Sequence, residues 1–295
     1  MPIHVKNNGI WVPPQKIHAK QSGIWKEANN VYIKDGGAWK LLYSVYNITT
    51  DASEVNLYTA MGSPTSPLTA IVNVSDNVKV SGTVLNGAAM TIDNFPIGSF
   101  IYLNVGSGAY IVGRGGNGGK GGNSEGWAGS SLPPQAGGTG LKTTIPVNIV
   151  NNGTIAGGGG GGGGAGGRVI YHGAGNGGGG AGGYRAATTS GVQTPITATY
   201  NTAIPAGYGG IGAGPNCDLN CSARAQDGTL TTGGIGTSGS EGGTSRVGGT
   251  GGVLGVAGAQ GAGGQYAGGA AGNAIDGASN ITLITSGSIL GPQVN

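Results

Sequence analysis

Few residues in this chain are suited to chemistry. The segment "GRGGNG" at 113–118 has the G-x-G-x-x-G spacing that lets a turn approach a pyrophosphate, and it follows the apolar "AYIV". Dinucleotide binding of that kind needs a helix directly after the turn, with its N-terminus on the phosphates. The following residues, "GKGGNSEG", cannot sustain a helix, because each glycine costs about 1 kcal/mol there relative to alanine. Cys217 and Cys221, in "PNCDLNC", are the two thiols, too few for a disulfide framework; they either close one loop as a disulfide or stay reduced. A metal site lacks partners for them, since His4 and His18 are distant in sequence and only His172 shares their half. Residues 113–295 hold five acidic residues and one histidine, and no carboxylate pair stands out. The expectation is a protein with no catalytic activity, no cofactor and no bound metal.

Recognition is the remaining role, and the elements that would support it are unusual. Of 295 residues 69 are glycine, roughly three times the average share. Only 8% are charged, which is not the composition of ordinary disorder. Ten glycines fall in residues 1–112 and 59 in 113–295, so two regimes meet near Gly113. The net charge is +3, and the 14 basic residues divide equally about that point, so no basic patch marks a nucleic-acid partner. No apolar run is long enough to span a bilayer as a helix, and the start "MPIHVKNNGIW" lacks the apolar stretch of a secretory signal.

Residues 3–39 contain a repeat: "IHVKNNGIW" at 3–11, "IHAKQSGIW" at 17–25 and "VYIKDGGAW" at 31–39, with a period of 14. Each copy reads as a strand, a tight glycine turn and a second strand ending in Trp11, Trp25 or Trp39. A hairpin this small is marginal alone, so the three must bury one another or a partner. Their tryptophans can fill the centre of a small prism, or three equivalent hairpins can match the end of a homotrimer, and the two arrangements are compatible. Residues 47–112, with "AIVNVSDNVKVSG" and "SFIYLNVGSGAYIVG", read as short strands forming a platform, with Phe95, Phe100, Tyr102 and Tyr110 as core or cross-strand residues.

Beyond Val112 the glycines recur in threes, as in Gly113, Gly116, Gly119 and Gly122, and from Gly249 through Gly264. Three is the period of polyproline II, not of a helix or a strand. Collagen also has it, but no proline occurs between Pro215 and Pro292. Polyglycine II helices packed side by side remain, with their backbone groups paired between neighbours to offset the entropy that glycine loses. The run "GGGGGGGG" at 157–164 is then an interior helix, while Val253, Leu254, Val256 and Ala257 cover outer faces or point into loops. The fold class expected is mostly β and irregular, with essentially no α-helix: an attachment domain at 1–46, a β-rich spacer at 47–112 and a glycine-rich sandwich at 113–295. The stretches between glycine runs carry Trp127, Tyr184, Tyr200, Tyr208 and Tyr266 among Ser, Thr and Asn, the composition of adaptable recognition loops.

These features together resemble the distal long-tail-fibre adhesins of T-even-like bacteriophages, of the polyglycine-sandwich type. The resemblance rests on the Trp-bearing repeats followed by blocks such as "GRGGNGGKGG" and "AGGGGGGGGAGGRVIYHGAGNGGGGAGG", and it covers nearly the whole chain. It implies a monomer made in the host cytoplasm and carried at the virion's tail-fibre tip. Trp11, Trp25 and Trp39 would cap the trimeric distal fibre protein. Trp127, Tyr184, Tyr200, Tyr208 and Tyr266 would face a porin-like bacterial outer-membrane protein, with a lipopolysaccharide contribution left open. A fibre-assembly chaperone is the main alternative. An ice-binding or purely structural glycine-helix protein would need short regular loops, which this sequence lacks.

Overall fold

The computed structural model describes residues 5–7, 10–12, 17–84, 86–119, 133–165, 180, 182, 225–226, 228–236, 238–241, 244–263 and 267–295. Three antiparallel hairpins come first: β1 (Val5–Asn7) with β2 (Ile10–Val12), β3 (His18–Gln21) with β4 (Ile24–Glu27), and β5 (Asn30–Asp35) with β6 (Ala38–Ile48). Ser22 and Gly23 have φ of 51° and 85°, and Gly36 and Gly37 have 59° and 85°, the paired positive values that a two-residue hairpin turn demands. The first two hairpins are separate two-stranded sheets, whereas β6 runs on into the body of the molecule.

From Tyr43 the chain winds as a parallel solenoid. Each coil lays one rung in a long sheet and then one short strand in a second sheet. The first rung is the end of β6 with β7 (Ala52–Ser53), followed by β8 (Val55–Asn56) and the single helical turn α1 (Leu57–Ala60). The second rung is β9 (Thr69–Val74) with β10 (Lys79–Ser81), then β11 (Ala88–Ile92); the third is β12 (Phe100–Val105) with β13 (Tyr110–Val112), then β14 (Thr139–Thr143). β15 (Val147–Ala156) forms the fourth rung alone. After it come the small hairpin β16 (Ser238–Glu241) and β17 (Thr244–Val247), then β18 (Ile275–Asp276), the fifth rung β19 (Ile281–Leu290), and β20 (Gln293–Val294). β8, β11, β14, β18 and β20 pair in parallel as the second sheet.

Stacking like on like forms the core. Ala70, Ile101 and Val147 lie in one column, Val72, Leu103 and Ile149 in the next, and Val80, Ile111 and Ile155 in a third. All nine are buried, and together with Met90, Leu141 and Ile275 from the second sheet they fill the space between sheets. On the outer face Asn104 Nδ2 donates to Asn73 Oδ1, and Asn73 Nδ2 to Asn47 Oδ1, both at 2.8 Å, so three successive rungs share an asparagine ladder. Phe95 packs edge-on against Tyr58 with ring centroids 5.5 Å apart, and Phe100 lies 5.0 Å from Tyr102, as core and same-face neighbours should.

The glycine-rich segments are insertions into the solenoid. Gly82, Gly113, Gly157 and Gly291 immediately follow the ends of four rungs, and the ladder continues through them: Gly82 N donates to the Val112 carbonyl, Gly113 to Ala156 and Gly157 to Leu290. Beyond the strands the bonds advance three residues at a time, Gly116 donating to Gly159 and Gly119 to Gly162, each at 2.8 Å. Residues 135–138 return antiparallel between these two segments, with Gly138 donating to Arg114, Gly158 to Gly138, Gln135 to Asn117 and Gly161 to Gln135. Residues 249–255 and 269–272 flank the 157–163 run on its other sides.

Three faces of that run meet three different neighbours. A Cβ on Gly158 or Gly161 would strike the carbonyls of Arg114 or Asn117; on Gly159 or Gly162, those of Gly252 or Gly249; on Gly157 or Gly160, those of Gly272 or Gly269, each closer than 3.0 Å. No residue but glycine fits. One expectation needs correction here: Leu254 does not cover an outer face but is buried with Val112 and Ala156 where the layers meet the solenoid. The turn at Gly255 (φ 68°) folds Leu254 inward, while Val253 and Val256 stay half-exposed.

Candidate functional site

The parallel strands give the molecule two ends of different chemistry. Every rung starts on one side, at Tyr43, Thr69, Phe100, Val147 or Ile281, and finishes on the other. Residues 38–42 of β6, paired to β5, project past the starting side, so the third hairpin stands there. The glycine-rich segments leave from the finishing side. Sheet polarity therefore sets the two candidate surfaces at opposite ends of the strands.

Within each hairpin, antiparallel register places a lysine directly opposite the tryptophan: Lys6 across from Trp11, Lys20 from Trp25 and Lys34 from Trp39. Residues opposite one another in a two-stranded sheet share a face. Trp25 and Trp39 are 66% and 69% exposed, so they do not fill the centre of a prism. The other faces are open too, with Ile24 and Ile33 exposed beside Lys26 and Lys40. A hairpin of four-residue strands with two uncovered apolar faces has little to hold it in water. The third hairpin is tied to the solenoid by a Ser44 Oγ to Asn30 Oδ1 bond of 2.8 Å and by buried Tyr43. Burial, and secondarily the Glu27 carboxylate, raises the Tyr43 phenol above its ordinary pKa of 10.0.

At the finishing end the layers offer rigid roots. The segments flanking residues 120–132 run outward to Gly119 and back from residue 133, locked by the Gln135 to Asn117 bond of 2.9 Å. Arg114 and Asn117 are buried between layers, where Arg114 Nη2 donates to Asn117 Oδ1 at 3.2 Å. Trp127, Tyr184, Tyr200, Tyr208 and Tyr266, and the cysteines Cys217 and Cys221, lie outside the described residues. Among the described residues no group of three His, Cys, Asp or Glu side chains could hold a metal ion, and no helix is long and apolar enough to cross a membrane.

The sequence showed the hairpins and the glycine layers but not the body that joins them. "VNIVNNGTIA" at 147–156 alternates apolar and polar residues as a strand should, and that signal was masked by the glycine blocks on either side.

Residues 43–294 match the family described as phage tail fibre adhesin Gp38. The matched span opens at the first rung of the solenoid, so the first two hairpins and most of the third lie before it. Among solved structures, the chain is similar to one in the crystal structure of the gp37-gp38 adhesin tip complex of the bacteriophage S16 long tail fiber. The TM-score is 0.52 and the identity 24%, over 86% of this chain and 83% of that one. No curated protein sequence matches.

Proposed function

The chain belongs to the phage tail fibre adhesin Gp38 family, and from that premise we propose that one copy caps the trimeric end of a long tail fibre with its hairpins. Its far end is presented to a bacterial surface protein. The observation that carries this reading is the polarity of the solenoid: the third hairpin, with its exposed Trp39 and Lys34, stands where the rungs start, and the glycine layers stand where they finish. An adhesin needs those two surfaces apart and a stiff body between them. Stacked rungs supply the stiffness, since each strand is paired along its length.

In this reading the 113–119, 133–138, 157–165, 249–255 and 269–272 segments are polyglycine II helices, and the stretches between them are recognition loops. Trp11, Trp25 and Trp39 contact the fibre. Trp127, Tyr184, Tyr200, Tyr208 and Tyr266 contact a porin-like outer-membrane protein, and a lipopolysaccharide contribution stays open. The role is binding without catalysis, at the fibre tip of the virion. The test is adsorption of purified protein to bacteria lacking individual surface proteins: binding should vanish with one of them. Exchange of residues 184–208 for a relative's segment should shift host range. Equal adsorption to every deletion strain, with host range unmoved by the exchange, would overturn the receptor assignment.

A further inference from the structure

We propose that the fibre surface received by the hairpins is acidic as well as apolar, and that the lysines steer the hairpins onto it before the tryptophans dock. This rests on the fibre-docking reading above and adds the chemistry of the partner.

Charge is sharply divided along the chain. Residues 1–46 hold six lysines, namely Lys6, Lys16, Lys20, Lys26, Lys34 and Lys40, against Glu27 and Asp35, a net of +4. The whole chain carries +3, so the other 249 residues together carry −1. Hairpins that only needed solubility could balance the two signs; these hold six lysines against two acidic residues.

Register sharpens the point. The lysine opposite each tryptophan recurs in all three hairpins, although the turn residues between them change from Asn-Gly to Ser-Gly to Gly-Gly. Lys20 and Lys34 are exposed on the faces that carry Trp25 and Trp39. On the reverse faces Lys26 stands opposite Ala19, one register step from Ile24, and Lys40 opposite Ile33. The second and third units therefore each offer a large apolar group and an ammonium side by side, and the first repeats their register. The complement is an apolar recess with a carboxylate at its rim, repeated once per chain of a trimer. Indole removes the apolar area, while the rim charges set encounter rate and register more than final affinity.

Basic residues beside tryptophan also suit the headgroup region of an anionic bilayer. The repeat favours the protein partner, because a lipid surface imposes no number of units and no fixed lysine–tryptophan register.

The test uses the full-length protein and the trimeric distal fibre protein of the same virion, with association followed by stopped flow between 50 and 500 mM NaCl. The association rate should fall about tenfold or more across that range. Lys20→Glu with Lys34→Glu should slow it at least about tenfold at low salt, whereas Lys142→Glu, on the solenoid where Lys142 pairs with Asp276, should not. A rate indifferent to salt and to both reversals, with Trp25→Ala/Trp39→Ala still abolishing attachment, would overturn the acidic partner and leave the docking site standing. Normal attachment of the tryptophan variant would instead remove the docking reading and this inference with it. Phosphatidylglycerol vesicles form the last arm: binding that the lysine reversals destroy, alongside salt-indifferent fibre association, would assign the lysines to a lipid surface and overturn the proposal.

Discussion

The solenoid and the glycine layers solve the same problem in opposite ways. In the solenoid, backbone pairing is confined to sheets, and side chains such as Leu103, Ile149 and Ile155 fill the gap between them. Stability there comes from apolar area removed from water, about 25 cal/mol per Å². In the layers there is almost no side chain to bury. Stability has to come from backbone groups bonded across neighbours on several sides, as with Gly158 to Gly138 and Gly272 to Gly158. The first design tolerates substitution in proportion to volume. The second tolerates none, because the neighbour in every direction is a carbonyl that cannot move without breaking its own bond.

That contrast can be broken or sharpened experimentally, the largest expected effect first. Gly160→Val and Gly161→Val should each abolish the native fold, read as loss of the cooperative thermal transition and of protease resistance; a Tm within a few degrees of the parent would show that the layers have slack. Leu103→Ala should leave a folded protein weakened by about 2–5 kcal/mol in denaturant titration, the ordinary cost of a core cavity. A loss as complete as that of the glycine variants would erase the distinction between the two regions. Asn73→Ala removes both bonds of the asparagine ladder and should cost about 1–2 kcal/mol, measured the same way.

The smallest effect concerns Tyr43, at the joint between hairpin and solenoid. Its raised pKa means that the folded state holds the phenol proton more tightly than the unfolded chain does. The associated stability is complete below pH 10.0 and is lost as pH rises through the higher folded value. Stability should therefore decline above about pH 10, and Tyr43→Phe should flatten that decline. An unchanged alkaline limb in the variant would place its origin elsewhere.

Much of this architecture is legible in the sequence. The 14-residue repeat carries its own turn chemistry, so "KQSGIW" becomes β3, turn and β4 from local preferences alone. The glycine triplets likewise announce a period that neither helix nor strand has. What could not be read is pairing across long separations. β15 and β19 lie side by side although more than a hundred residues part them, and nothing in "ITLITSGSIL" names its partner. Leu254 shows the same limit on a smaller scale, since its burial depends on Val112 and Ala156, which come from two other coils.

The sequence by itself determined local geometry: where the two-residue turns fall and, through them, that each tryptophan pairs with a lysine. Tertiary structure alone decided which segments become neighbours, and so that the composition change at Gly113 is crossed by continuous backbone pairing. It also decided that the third hairpin and the layers stand at opposite ends. The reason is physical. Turn preferences and steric period act over a few residues, whereas the direction of a parallel sheet is fixed only when distant strands meet, and that direction is what separates one binding surface from the other.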